Sequence, residues 1–212
     1  MTLSLGESLG EIEAMAKKAA RGAGYSWGLA DEAGQATRFL CAQGLPGCET
    51  LARLLDAGFA HALPAHRPRN LAGPWRGDGP LCPLITGAAL ADDADRLLSD
   101  PLRIENIALP LFLLPFAAMA SRRIALPVVI EADTASATTA GFTLALIGTF
   151  PASTNLTLRT GEAPEDFPPL RTRAKPTPQA WASLSAHAQR TYAPATDASR
   201  LKGAGAGLSD ND

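Results

Sequence analysis

The sequence predicts an α+β fold in which a helical N-terminal part packs on a small, mostly antiparallel sheet. Three observations carry this. Apolar residues in the first 60 positions recur at helical spacing, and short β-branched runs gather after residue 100. Short polar turns separate the last three of those runs. With 212 residues, 46% apolar and 19% charged, the chain is long enough to bury a core without covalent staples. It reads as one domain: a helical part over about 1–60, a long loop at 61–83, an α+β part over about 84–192 and a glycine-rich tail at 193–212.

Ser8-Leu9-Gly10-Glu11 fits a capping box, in which the two side chains satisfy free amides at a helix start. Leu9, Ile12, Ala16, Ala19 and Ala23 then share a face, and Gly22 and Gly24 mark the stop. Ser26 caps a second helix with Leu29, Ala33, Ala36 and Leu40 as its buried stripe. Pro46 opens a third, whose Leu51, Leu54, Leu55 and Phe59 point inward. Much of this surface is alanine, so the helices can approach closely. The 61–83 stretch is rich in Pro, Gly and Arg and lacks period; a structureless segment that long is functional, mobile or a link between the helical part and the rest.

Thr86 begins another helix, with Leu90, Ala94, Leu97 and Leu98 on one side and Asp92, Asp93 and Asp95 mostly on the other. Arg103–Leu109 reads as a strand and Pro115–Arg123 as a short helix. Val128–Glu131, Thr139–Ile147 and Thr154–Thr160 read as strands that pair antiparallel, the first strand joining them through the crossover helix. Gly161–Pro176 is loop. Thr177-Pro178 starts a final helix carrying Trp181, Leu184, Ala188 and Tyr192 inward.

The net charge of −2, with basic residues scattered, removes the attraction that nucleic-acid binders use. The most apolar run, Ile107–Ala120, is too short for a membrane helix of about 20 residues and holds Pro110 and Pro115. Three irregularly spaced cysteines make no disulfide framework, and no secretory leader pattern opens the chain, so a cytoplasmic location is expected. Without an export signal, the acceptor pattern at Asn155 is accidental.

Chemistry has two main candidates. Arg21-Gly22-Ala23-Gly24-Tyr25-Ser26-Trp27-Gly28 joins an anion-binding guanidinium, flexible glycines and two aromatics to a helix start, whose amides can hold a carboxylate or phosphate. The same segment also reads as an αα-hairpin turn whose Tyr25 and Trp27 fill the core. The tail places Gly203, Gly205 and Gly207 before Asp210, Asn211 and Asp212, so it either stays loose or docks and lends a carboxylate to a site. Cys82 with His61 or His66 makes a weaker thiolate pair. Asp92, Asp93 and Asp95 read as a solvated helix face. Glu131 and Asp133, two apart at a strand end, share a face and can share a proton or cation. No zinc spacing, Walker loop or nucleophile elbow is present, and neither metal nor cofactor is expected.

The segments EIEAMAKKAARGAGYSWGLADEAG and TYAPATDASRLKGAGAGLSDND resemble the two ends of an uncharacterised bacterial family, proteobacterial in type, of about this chain's length. Alanine richness and the preference for Arg over Lys fit a GC-rich genome. The resemblance implies a bacterial cytosolic protein and no assigned activity.

Two functions remain open on the sequence. One is a small-molecule-binding protein or enzyme acting on an anionic metabolite near Arg21, Tyr25 and Trp27, with the tail as a closing element. The other is a non-catalytic accessory or structural protein acting as a homo-oligomer or with a partner. The first requires a concave pocket, the second an exposed apolar patch.

Overall fold

A computed structural model describes residues 6–192. In chain order the elements are β1 (Glu7–Ser8), α1 (Leu9–Gly22), α2 (Trp27–Ala42), α3 (Gly47–Asp56), α4 (Pro83–Asp92), β2 (Leu102–Ala108), α5 (Leu114–Ile124), β3 (Val128–Glu131), β4 (Ala135–Ala140), β5 (Thr143–Gly148), β6 (Ser153–Thr160), β7 (Arg173–Ala174) and α6 (Pro178–Gln189). Short 3-10 turns follow α3 (Phe59–His66) and α4 (Ala94–Leu98), and one precedes α5 (Pro110–Leu113).

Helix α1 starts with the capping box: the Ser8 amide donates to Glu11 Oε2 at 2.8 Å, and the Ser8 hydroxyl accepts from the Glu11 amide. Its Ile12, Ala16, Ala19 and Ala20 are buried, as are Ala30, Ala33 and Ala36 of α2. Small side chains bring the two helices together until a Cβ on Gly34 would lie 3.0 Å from the Glu13 carbonyl oxygen. Helix α6 returns from the far end of the chain to pack on both α1 and α3. It buries Ala180, Leu184, His187 and Ala188, while Tyr192 is exposed and Trp181 half-buried, so its inward face is rotated from the one the spacing suggested. His187 Nε2 and the Ser183 hydroxyl both meet the Asp56 carboxylate, tying α6 to α3.

The main sheet has five strands in the order β2-β6-β3-β4-β5, every neighbouring pair antiparallel. Strands β2 and β3 therefore run the same way with β6 between them, and α5 makes the crossover that links them. Alternation sends Leu102, Ile104, Val128, Ile130, Ala137, Leu144, Leu156 and Leu158 to one face, against Leu114, Ala117 and Ala120 of α5. The other face carries Arg103, Glu105, Glu131, Thr157 and Arg159. Thr139–Ile147 is two strands and not one: β4 ends at Ala140, and Gly141 turns the chain at φ +64 into β5. That is the positive φ a II′ hairpin places at its first loop residue, and a lone glycine in an apolar run hid it.

The 61–83 stretch is ordered by pairing with β2. Trp75 and Leu81 bridge Ile104 and Ile107 in parallel fashion, with Trp75 fully buried. Between those two bridges β2 bulges at Asn106, φ +50. The bulge is held by the Asn155 side chain, which accepts from the Asn106 amide at 2.9 Å. A helical cluster and a sheet cluster of buried residues meet at α4 and α5, sharing Phe39, Leu45 and Leu111 as boundary residues.

Where α1 crosses α6, Gly22 faces the His187 carbonyl so closely that a Cβ would overlap backbone. Gly22→Ala is expected to destabilise the protein by about 1–3 kcal/mol, the usual effect of overpacking. A thermal melt should fall by roughly 2–4 °C per kcal/mol for a chain of this size. An unchanged midpoint would mean that α6 does not cross α1 at this glycine.

Candidate functional site

The α1–α2 turn closes on itself. Arg21 donates to the Tyr25 carbonyl oxygen at 2.8 Å and lies over the Trp27 ring, 5.0 Å from its centroid. Tyr25 is buried in the helical core, its hydroxyl 3.5 Å from Cys82 Sγ, and burial followed by the Cys82 neighbour pushes its pKa far up. The amides opening α2 are already capped, with the Ser26 hydroxyl accepting from Leu29. Arg21, Tyr25 and Trp27 are thus neighbours, but the first two are engaged by the fold itself. Trp27 is 63% exposed, so only one of the two aromatics fills the core. Gly203, Gly205, Gly207 and Asp210 lie outside the described residues.

Cys82 forms no pair with histidine. His66 Nδ1 bonds to the Pro80 carbonyl at 2.7 Å and its ring packs edge-on against Phe59. Burial holds the Cys82 thiol pKa above its ordinary value, which keeps it protonated. Asp92 ends α4, Asp93 separates it from the next 3-10 turn, and Asp95 sits inside that turn, so the cluster spans a break and not a helix centre. Asp93 faces Arg96 and Asp95 faces Arg123. Glu131 accepts two bonds from Arg159, at 2.9 and 3.3 Å, which occupies the carboxylate proposed to act with Asp133. No three His, Cys, Asp or Glu side chains converge for a metal among the described residues.

Two concave regions stand out, and both border the C-terminal end of α2. The first is a largely apolar groove of about 570 Å³ where α1 and α2 meet α5 and the β4–β5 hairpin. Phe39, Ala118, Met119, Phe142 and Leu170 supply its apolar lining. Gln43 Nε2 donates to the Phe142 carbonyl at 2.7 Å and pins the hairpin tip to α2, leaving Gln43 Oε1 buried without a protein partner. Arg122 stacks over the Phe142 ring at 4.0 Å. Arg38 is paired with Glu13 at 2.7 Å, whereas Arg122 and Arg171 have no carboxylate partner among the described residues. The second region, about 560 Å³, lies between the α2–α3 turn and the 171–177 segment and is lined by Cys41, Cys48, Arg171, Arg173 and Lys175 among others.

Neither region was read from the sequence. The groove takes residues from five distant stretches, and no spacing connects them. For the second, one signal was available: Cys41 and Cys48 flank a Gly-Leu-Pro-Gly turn between two helices, which folds them back towards each other.

The fold defines an α+β protein with its helices packed against one face of a small antiparallel sheet, and no helix among the described residues is long and apolar enough to cross a membrane. Residues 7–100 match a family model described as Protein of unknown function (DUF3726), a family with no assigned activity. The match covers α1 to α4 and ends before β2, so it includes the α1 and α2 walls of the groove and both thiols of the second cavity. No curated protein and no solved structure matches the chain.

Beside these regions, α2 carries Glu32, one of whose oxygens is buried without a partner. Burial first, then the negative charges of Asp92 and Asp31, raise its pKa above the ordinary 4.5. The folded state therefore holds this proton more tightly than the unfolded chain does. Stability is lost as pH rises through the folded pKa and regained below it. Glu32→Gln is expected to raise the melting midpoint at pH 7–8, with the gain shrinking to nothing as pH falls below the unfolded carboxyl range, about 4. Melts of both proteins across pH 4–8 check this, and a gain independent of pH would contradict it.

Proposed function

We propose that the protein binds a small ligand with an apolar body and an anionic head in the groove between α1, α2, α5 and the β4–β5 hairpin. The observation that carries this reading is the juxtaposition at one groove of apolar walls with two guanidiniums, Arg122 and Arg171, that have no carboxylate partner among the described residues. An apolar cleft of a few hundred Å³ with few polar groups is the usual form of a small-molecule site. A guanidinium presents a planar fork to a carboxylate or phosphate. Gln43 Oε1 offers an acceptor for a ligand hydroxyl or amide. The one carboxylate in the lining, Glu13, is already paired with Arg38, so the groove is better equipped to hold a ligand than to transform it. The three unlinked cysteines fit a reducing compartment, so the ligand sought is a cytosolic metabolite.

The test is a thermal-shift panel of amphipathic carboxylates and phosphate esters on the full-length chain. A ligand at a hundred times its dissociation constant adds about 2.7 kcal/mol, enough for a midpoint rise of roughly 5–11 °C. For any hit, Arg122→Ala and Arg171→Ala should each weaken binding about tenfold, as loss of a charged hydrogen bond does, while Arg21→Ala leaves it unchanged. A blank panel, or hits indifferent to both groove arginines, would defeat the reading.

A second reading, self-association, is favoured by the edges of the sheet. The β2 edge is covered by Trp75 and Leu81, but among the described residues β5 pairs on one side only; Ile147 near its C-terminal end is 74% exposed, and Phe142 at the turn that opens it is exposed too. An uncovered apolar edge can add the same strand from a second copy about a two-fold axis. Light scattering should then show a dimer that Ile147→Lys converts to a monomer. A monomer at high protein concentration removes this reading.

A further inference from the structure

We propose that Cys41 and Cys48 form a redox-active dithiol that reduces a small hydroperoxide entering the cavity beside them and closes to an intramolecular disulfide. This site is distinct from the ligand groove, with which it shares only Arg171 at the border, and it does not depend on a ligand binding there. The two sulfurs lie 3.9 Å apart, one on the last turn of α2 and the other on the first turn of α3. Both line the cavity of about 560 Å³. Joining them needs side-chain rotation to bring the sulfurs to about 2.05 Å.

The local sequence sets up an asymmetric pair. Pro46 stands at the α3 N-cap and has no side chain to offer the free amides. The Cys41 sulfur lies at this helix start, 3.9 Å from the Cys48 sulfur, and the Cys48 thiol with the backbone at Cys48 and Gly47 favours its thiolate form. Gly47 permits this approach, since a Cβ there would lie 3.0 Å from Cys41 Sγ and 2.6 Å from the Thr37 carbonyl oxygen. Donors at a helix N-terminus favour a thiolate, so the Cys41 pKa falls below its ordinary value. Cys48 is pushed up by its contact with the Cys41 sulfur and by burial. Arg171, Arg173 and Lys175 line the same cavity against the single carboxylate of Glu49, which makes the surroundings electropositive. Arg173 also donates to the Gly6 carbonyl at 2.6 Å, which helps hold the 171–177 segment in place.

The chemistry balances with the peroxide as sole oxidant. The Cys41 thiolate attacks one peroxide oxygen, the O–O bond breaks, and the departing oxygen leaves with the thiol's proton, as water from hydrogen peroxide or as the alcohol from an organic hydroperoxide. Cys41 is then a sulfenic acid. The Cys48 sulfur attacks it, the S–O bond breaks, and the sulfenic oxygen leaves as water carrying the Cys48 proton. One peroxide is reduced, two thiols are oxidised, and a dithiol reductant returns the pair to its starting state. Cys82, buried against Tyr25 away from this cavity, takes no part.

The test uses the full-length protein, folded, with hydrogen peroxide as the probe. Arg38 and Arg53 bracket both thiols, so one tryptic peptide, residues 39–53, contains Cys41 and Cys48 without Cys82. Mass spectrometry should show that peptide about 2 Da lighter after peroxide and restored by dithiothreitol, with Cys82 still free. In Cys48→Ser, a sulfenic-acid trap should label Cys41. The peroxide reaction of the wild-type folded chain should be at least about tenfold faster than that of the chain in denaturant, since only the fold supplies the thiolate. A peptide unchanged by peroxide in the folded protein, or equal rates folded and unfolded, would overturn the proposal without touching the groove.

Discussion

Close approach of α1 to α2 is the constraint on which the rest of the molecule depends. Alanines along both helices and Gly34 opposite the Glu13 carbonyl remove the bulk that would hold the helices apart. Short interaxial distance multiplies weak dispersion contacts along the whole length of the pair. Because α2 is pinned in this way, its C-terminal turn projects into the boundary between the helical and sheet clusters. Phe39 packs against both clusters there.

That last turn organises both concave regions. Phe39, Ala42 and Gln43 face the ligand groove, and Cys41 faces the thiol cavity. The Arg171 amide donates to the Ala42 carbonyl at 2.7 Å, using an acceptor that the helix end leaves free. This bond helps lay the 170–177 segment across the end of α2, and β7 extends the attachment by pairing with β1. Arg171 consequently borders both regions, and a Cβ on Gly44 would meet its guanidinium. One backbone bond thus helps place a cation that the groove reading and the dithiol reading both use.

The sheet is covered unequally, and that inequality has a physical origin. The 61–83 stretch has few apolar residues and no period of its own, yet Trp75 and Leu81 bury completely by bridging β2. One edge is protected by a segment without regular structure, while the hairpin that ends β4 leaves β5 at the other edge.

Much of the local structure was legible in the chain. The capping box at Ser8 and Glu11, the Ser26 cap, the small-residue faces of α1 and α2, and strand β3 follow from short-range rules, because caps and periodicities involve groups within a few residues of one another. The α+β class followed from their order. The boundary between β4 and β5 did not, since one positive φ at Gly141 in an apolar run decides it. The site was less legible still. Arg21, Tyr25 and Trp27 do sit together, but the turn itself engages Arg21 and the core takes Tyr25. Arg122, Phe142 and Arg171 come from sequence-distant elements that only packing joins. The sequence by itself determined where most of the helices and strands lie and which side chains are apolar. Tertiary structure alone decided where those stretches leave a cavity and which charges find no partner, because both are properties of surfaces brought together across the chain.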